Sequence, residues 1–262
     1  MTTPTPTTPT VFDKIKTTFQ DGKTQVTRAV SDVNAEISKA AQNNNINSPL
    51  PGDFTSEVTK ATNILKGFTD PEGGLDHVIP TDIFNKAFGL AIFTVVKAGF
   101  VWSGRVGSGL VVSKLDDGTW SSPSCISIGG LGFGAQFGAD VTDFVIILNT
   151  KEAVKAFSHG ENVTLGGSLS ITAGPVGVGG EVSGTVYDGA ALFSYSKSKG
   201  LFVGVSLEGT IIFERKDANK TFYGEDVSAE DLLCGRAGRP HPNATHVLYE
   251  AIRKAEERQP KN

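Results

Sequence analysis

The sequence predicts an α+β fold in which a strongly curled antiparallel β-sheet, barrel- or sandwich-like and of about eight to ten strands, carries amphipathic helices at its N- and C-terminal ends. Three observations predict it. Apolar residues recur at three- and four-residue steps towards both ends of the chain. Between Leu90 and Arg215 the pattern turns to short apolar runs with strand-like alternation, broken by turn residues. Glycine, 31 of 262 residues, crowds the same central region, which favours tight β architecture over a helical bundle.

Taken in order, residues 1–10 are almost wholly threonine and proline, can bury nothing, and are expected to be disordered. Over 11–42, Phe12, Ile15, Phe19, Val26, Val30, Val33, Ile37 and Ala40 mark one stripe of a long helix that needs a surface to lie on. A polar linker, 43–49, leads into the main domain, 50–258, with a short tail at 259–262. The domain opens on a second amphipathic helix, 50–68, followed by turn-rich DPEGGLD and a short helix from Pro80 to Ala87. Strands are expected at LAIFTVV, GFVWSG, GSGLVVSKL and TWSSPSCISI, the last two joined by a turn at Asp116, Asp117 and Gly118. GFGAQFGA and TDFVIIL follow, then a helix at 151–157 with Asn149 and Glu152 spaced as a capping box. Further strands lie at NVTLGGSLSITAG, VGVGGEVSGTVY, AALFSYSKS and GLFVGVSLEGTIIFER, with a turn at Lys197–Gly200 between the last two. Short helices at 228–233 and from Asn243 onward close the chain.

The glycine run Gly130, Gly132, Gly134 and Gly138 paves one face of a strand and allows another backbone to approach closely. It is nearly a dinucleotide fingerprint, but the residues after it read as a strand, so no helix N-terminus is available to hold a phosphate. The net charge of −4 gives no bulk attraction to nucleic acid. Cys125 and Cys234 lie far apart without zinc-ligand spacing, and are expected to be reduced. His77, His159, His241 and His246 lack partners spaced for a metal or a triad, and no nucleophile elbow or phosphate loop is present. Neither catalysis, a metal nor a cofactor is expected.

Two sets of residues are candidates for binding. Phe54, Val58, Ile64, Leu65 and Phe68, with Lys60 and Lys66, give the 50–68 helix a greasy face and two cations, which suit either a lipid surface or packing on the β core. Each cation near an acidic leaflet contributes about 1 kcal/mol, and Asp53 and Glu57 offset part of that. Arg215, Lys216 and Lys220 cluster in an expected loop, where acidic lipid or an acidic protein surface is within their reach. Trp102 and Trp120 are suited to a wet apolar boundary, although filling the core beside the glycine-paved strands is the expectation.

The segments IPTDIFNKAFGLAIFTVVKAGFVWSGRVGSG, LDDGTWSSPSCISIGGLGFGAQFGADVTDFVIILNTKEAVKAF, LGGSLSITAGPVG and KSKGLFVGVSLEGTIIFERKDANKTFYG closely resemble the SYLF family of lipid- and actin-associated proteins. The resemblance implies a non-enzymatic adaptor that binds phosphoinositide-containing membrane and F-actin in endocytosis or cortical actin organisation. It implies a cytoplasmic protein, peripheral at the plasma membrane, endosomes or cortical actin patches. The family attaches chiefly through the helix that matches 50–68 here, with Lys60 and Lys66 at matching positions, while Thr55, Glu57, Thr59 and Thr62 dilute its charge. Val178 stands where the family often has arginine, and many members carry an SH3 domain that does not follow Asn262, so no proline-rich ligand is expected. A lipid-carrying or small-ligand β container is the alternative.

Overall fold

The structure, a computed structural model, describes residues 47–70, 78–158, 163–164, 171–173, 191–238 and 242–258. The expected tail 1–10, helix 11–42, all but the first residue of the turn-rich 70–76 and most of the strands expected within 159–190 lie outside the described residues, as does 259–262. All elements below belong to the unit Asn47–Asn262.

Helix α1, Phe54–Thr69, starts where Asp53 caps it, the carboxylate accepting from the Ser56 amide at 2.7 Å. Its C-terminal carbonyl at Thr69 accepts from the Arg258 guanidinium at 2.6 Å, which ties the two ends of the domain together. A short helix α2, Thr81–Asn85, leads into β1, Gly89–Ser113. β2 runs Ser124–Leu148, and α3, Lys151–Ser158, follows. Two short strands, β3 at Val163–Thr164 and β4 at Ile171–Ala173, precede β5, Leu192–Glu214. Helices α4, Lys216–Tyr223, α5, Ala229–Leu233, and α6, Pro242–Glu256, complete the order.

Among the described residues the sheet has five strands in the order β1-β2-β5-β3, antiparallel except that β4 pairs parallel with β5. Three of them are very long and merge strands expected to be separate. LAIFTVV, GFVWSG and GSGLVVS are one strand, and so are the glycine run and TDFVIIL. The expected turn at Lys197–Gly200 is absent. Lys197 pairs with Asp143 and Lys199 with Val141 inside a continuous ladder, and Ser196–Lys199 are polar because this stretch of strand faces solvent. The ladder is open at β1 and β3, so closure into a barrel is not part of the described pairing.

At about 3.3 Å per residue, a straight β1 would be roughly 80 Å long. Instead it doubles back. A Cβ added to Gly109 would lie 2.1 Å from the Ile92 carbonyl oxygen, one on Gly107 2.5 Å from that of Thr94, and one on Gly99 2.2 Å from that of Trp102. The reversal therefore centres on Phe100 and Val101, where the register with β2 shifts and Val101 takes a φ of 62°. A β-branched residue is strained there. Close backbone approach is thus realised at glycines of β1, which the alternation in β2 did not single out.

Both ends of β1 and of β2 are buried and their middles are not. On one sheet face α1, α2 and α6 pack on Leu90, Ile92, Leu110, Val112, Cys125, Val145, Ile147 and Phe193. On the other, Ala153 and Phe157 of α3 and Leu233 of α5 pack on Phe93, Val111, Ile126, Ile146 and Leu148. The start of α3 departs from expectation: Thr150, not Asn149, accepts from the Ala153 amide, at 3.0 Å.

Candidate functional site

The apolar stripe of α1 lies in the core. Phe54, Val58, Ile64, Leu65 and Phe68 are all at most 4% exposed, with Phe54 stacked on Phe222 at 3.7 Å between ring centroids. Of the two lysines only Lys66 faces solvent. Lys60 turns inward, where its ammonium lies 2.7 Å from the Glu57 carboxylate and donates to Ser108 Oγ at 2.6 Å and to the Ser48 carbonyl at 3.0 Å. Burial pulls its pKa down, and Glu57 opposes that shift.

Glu57 itself is fully buried and accepts from the Gly52 amide at 2.9 Å and the Arg215 guanidinium at 3.3 Å. One of the three basic candidates, Arg215, is therefore spent on an internal ion pair. The expected loop holding them is the start of α4, fixed by the fully buried Asn219, whose side chain accepts from the Cys125 amide at 2.9 Å and donates to Ser124 Oγ at 3.0 Å. Lys216 and Lys220 are exposed, and Lys220 pairs with Asp226 at 3.4 Å. The structure thus does not gather the candidate residues into one surface.

What it does gather was missed by the sequence reading. Where β1 reverses, Phe100, Val101 and Trp102 stand beside Leu131, Phe133 and Phe137 of β2. Leu131 is 74% exposed, Phe100 72%, Trp102 67% and Phe137 67%. Their rings form two pairs, Trp102 on Phe133 at 4.6 Å and Phe100 edge-on to Phe137 at 6.2 Å. The expectation that Trp102 fills the core is overturned, because the chain reverses there and carries the indole beyond both apolar clusters. Trp120 is half-buried against the helices. A signal was present in β2: Leu131 and Phe133 alternate with Gly130, Gly132 and Gly134, so one face is bare while the other carries the large side chains.

A cleft of 690 Å³ elsewhere is lined by Trp120, Ser121, Ser122, Tyr223 and Arg236, with Arg236 held by Asp231 and Glu230 at 2.9 Å each. Among the described residues no three His, Cys, Asp or Glu side chains are grouped to hold a metal, and no helix is long and apolar enough to cross a membrane. Cys125 is buried and Cys234 exposed, and both are free thiols. Burial, reinforced by Glu57, pushes the Cys125 thiol well above its ordinary range.

Comparison with known proteins places this architecture. Residues 129–255 match the family profile described as Ysc84, Las17-binding protein actin regulator. An SH3 domain-containing protein of Schizosaccharomyces pombe is 52% identical over 211 residues, 79% of this chain and 49% of the relative. The chain belongs to the Ysc84 (SYLF) family. LAS seventeen-binding protein 3 of Saccharomyces cerevisiae is 50% identical over 211 residues, again 79% of this chain and 46% of the relative. SH3 domain-containing YSC84-like protein 1 of Homo sapiens is 47% identical over 209 residues, covering 79% of this chain and 60% of that protein. The chain therefore spans about half the length of the first two relatives. No solved structure matches this Ysc84-family chain.

Proposed function

We propose that this Ysc84-family chain is a non-enzymatic adaptor that joins the actin-regulatory machinery to phosphoinositide-bearing membrane, in endocytosis or cortical actin organisation. It works on the cytoplasmic side, peripheral at the plasma membrane or endosomes. The observation that carries this reading is the 50% identity over 211 residues to a protein named for binding Las17, together with a matching profile described as an actin regulator. The described titratable groups support a binding role. Glu57, Lys60 and Arg215 are engaged with one another in the interior, and Cys125 and Tyr223 are driven towards their neutral forms by burial.

Membrane attachment in this proposal does not run through release of α1. Freeing Phe54, Val58, Ile64, Leu65 and Phe68 from the core forfeits on the order of 10 kcal/mol of burial, comparable to the whole stability of a typical domain. It would also strand Glu57 and Arg215. Lys66, Lys216 and Lys220 are the exposed members of the candidate basic set and remain able to meet acidic lipid or the acidic surface of F-actin. The container alternative has less support, because on both sheet faces the space under the helices is filled with side chains.

Two assays on the same preparation test the proposal. The chain should pellet with F-actin, and should float with phosphoinositide-containing vesicles. Absence of both would refute the adaptor reading, and pelleting without flotation would confine it to the cytoskeleton.

A further inference from the structure

The apolar reversal of β1 and β2 has no part in the core, in the α1 network or in the cleft. We propose that this tip, formed by Phe100, Val101, Trp102, Leu131, Phe133 and Phe137, enters the headgroup region of an anionic lipid bilayer and is the element by which the domain holds membrane. This inference rests on the membrane half of the proposed function and names the site that performs it.

Shape favours a bilayer as the occupant. The ends of β1 and β2 are buried with the helices, so their exposed middles lie outside both apolar clusters. A projecting apolar edge can sink into lipid, which needs no complementary groove. The chemistry agrees. Indole and phenyl rings prefer the boundary between headgroups and acyl chains. The paired arrangement of Trp102 with Phe133 and Phe100 with Phe137 leaves their outer surfaces in water, an unusually large apolar exposure for a soluble face.

Charge points the same way. β1 contains no Asp or Glu, and β2 contains none before Asp140. The cations on β1 are Lys97, opposite Asp140, and Arg105, opposite Gly130 and bonded through Nη1 to Thr210 Oγ1 at 3.2 Å. Pairing with Gly130 puts Arg105 on the glycine face, across the sheet from Leu131, Phe133 and Trp102, so what suits the tip to an anionic leaflet is the lack of Asp and Glu in these apical stretches of β1 and β2.

Depth is limited by the backbone. Among the described residues β1 ends the ladder, so its outer amides and carbonyls need water, and insertion by about 5–10 Å into the headgroup boundary satisfies this where full burial in hydrocarbon would not. Val101, with its φ of 62°, sits at the apex of the reversal between Phe100 and Trp102.

The test uses the full chain carrying Trp120→Phe, so that Trp102 is the sole indole, with vesicles of phosphatidylcholine alone, with added phosphatidylserine, or with added phosphoinositide. Trp102 emission should shift to the blue on the anionic vesicles and be quenched by brominated lipid. Phe100→Ser with Phe137→Ser should weaken vesicle binding about tenfold or more at an unchanged melting temperature. If Trp120→Phe unfolds the chain, brominated-lipid quenching of the unsubstituted protein reads the same contact, since Trp120 is half-buried against the helices.

If vesicles are bound with Trp102 emission unchanged and the serine variant binds equally, the tip is wrong while membrane attachment stands. If no vesicle is bound, the membrane reading itself fails and takes the tip with it. If Trp102 is shielded instead by F-actin, or by a second copy in a light-scattering measurement of mass, the lipid occupant is replaced by a protein one and the proposal is overturned.

Discussion

Glu57 and Arg215, 158 positions apart in sequence, meet inside the domain at 3.3 Å, and Lys60 closes on the same carboxylate at 2.7 Å. This contact pins the first turn of α1 to the end of β5 and the start of α4. It makes α1 a structural helix, with its charges directed inward beside its apolar stripe.

Removing the shared carboxylate leaves two buried cations facing each other. Glu57→Gln is expected to destabilise the domain by about 3 kcal/mol, in the range for breaking one side of a buried pair. Lys66→Glu, on the exposed face of the same helix, should stay within about 0.5 kcal/mol of the parent. Urea unfolding of the two variants checks the contrast. Equal midpoints would show that the network contributes nothing. Lys60→Glu is for the same reason a test of folding rather than of lipid binding.

Two glycines of β1 separate close packing from open space. A Cβ at Gly109 meets the Ile92 carbonyl oxygen at 2.1 Å, whereas one at Gly104 meets nothing within 4 Å. Gly109→Ala should therefore lose several kcal/mol, on the order of 3 or more, and Gly104→Ala should be close to neutral. Thermal melts of both chains decide it. A well-folded Gly109→Ala would show that the two halves of β1 do not approach as described.

The cysteines should differ sharply. Cys234 is exposed, while Cys125 is buried in the core with its thiol pushed up by desolvation. At neutral pH an aromatic disulfide reagent should titrate one thiol in the folded chain and two in denaturant. Rapid reaction of both would mean that the core under α1 opens readily.

Acid should weaken the caps. Hydrogen bonding to Ser56 holds the Asp53 carboxyl below 3.8, and hydrogen bonding to Ser228, with Arg236, does the same for Asp231. A depressed carboxylate contributes stability that is fully present above the unfolded value and is lost as pH falls through the folded one. The urea midpoint should accordingly drop below about pH 4. Asp53→Asn, which still caps but does not titrate, should show a smaller drop. Identical profiles would remove Asp53 from the acid response.

Much of the domain was legible in the sequence. The three- and four-residue steps of Phe54, Val58, Ala61, Ile64, Leu65 and Phe68 placed α1, and Asp116–Gly118 placed the turn between β1 and β2. The family was legible too, because whole blocks of sequence carry it. The length of the strands was not, since the breaks expected at Lys97–Ala98, Arg105–Val106 and Lys197–Gly200 fall on polar or small residues that sit inside continuous strands. Nor was the reversal at Val101, because no local pattern records that Ile92 and Gly109 face each other. The role of the 50–68 helix stayed open between lipid and core for a related reason. An amphipathic helix shows the same periodicity whether its stripe meets lipid or a sheet, and the partner that decides it, the apolar face of the β-sheet, lies elsewhere in the chain.

The central claim is that α1 stays within the domain while the reversed tip of the sheet meets the membrane. Hydrogen exchange of the full chain, free and bound to phosphoinositide-containing vesicles, tests it most directly. The account predicts unchanged protection over Phe54–Thr69 and slower exchange around Phe100–Trp102 in the bound state. Faster exchange of Phe54–Thr69 on vesicles, with no change at the tip, would contradict it.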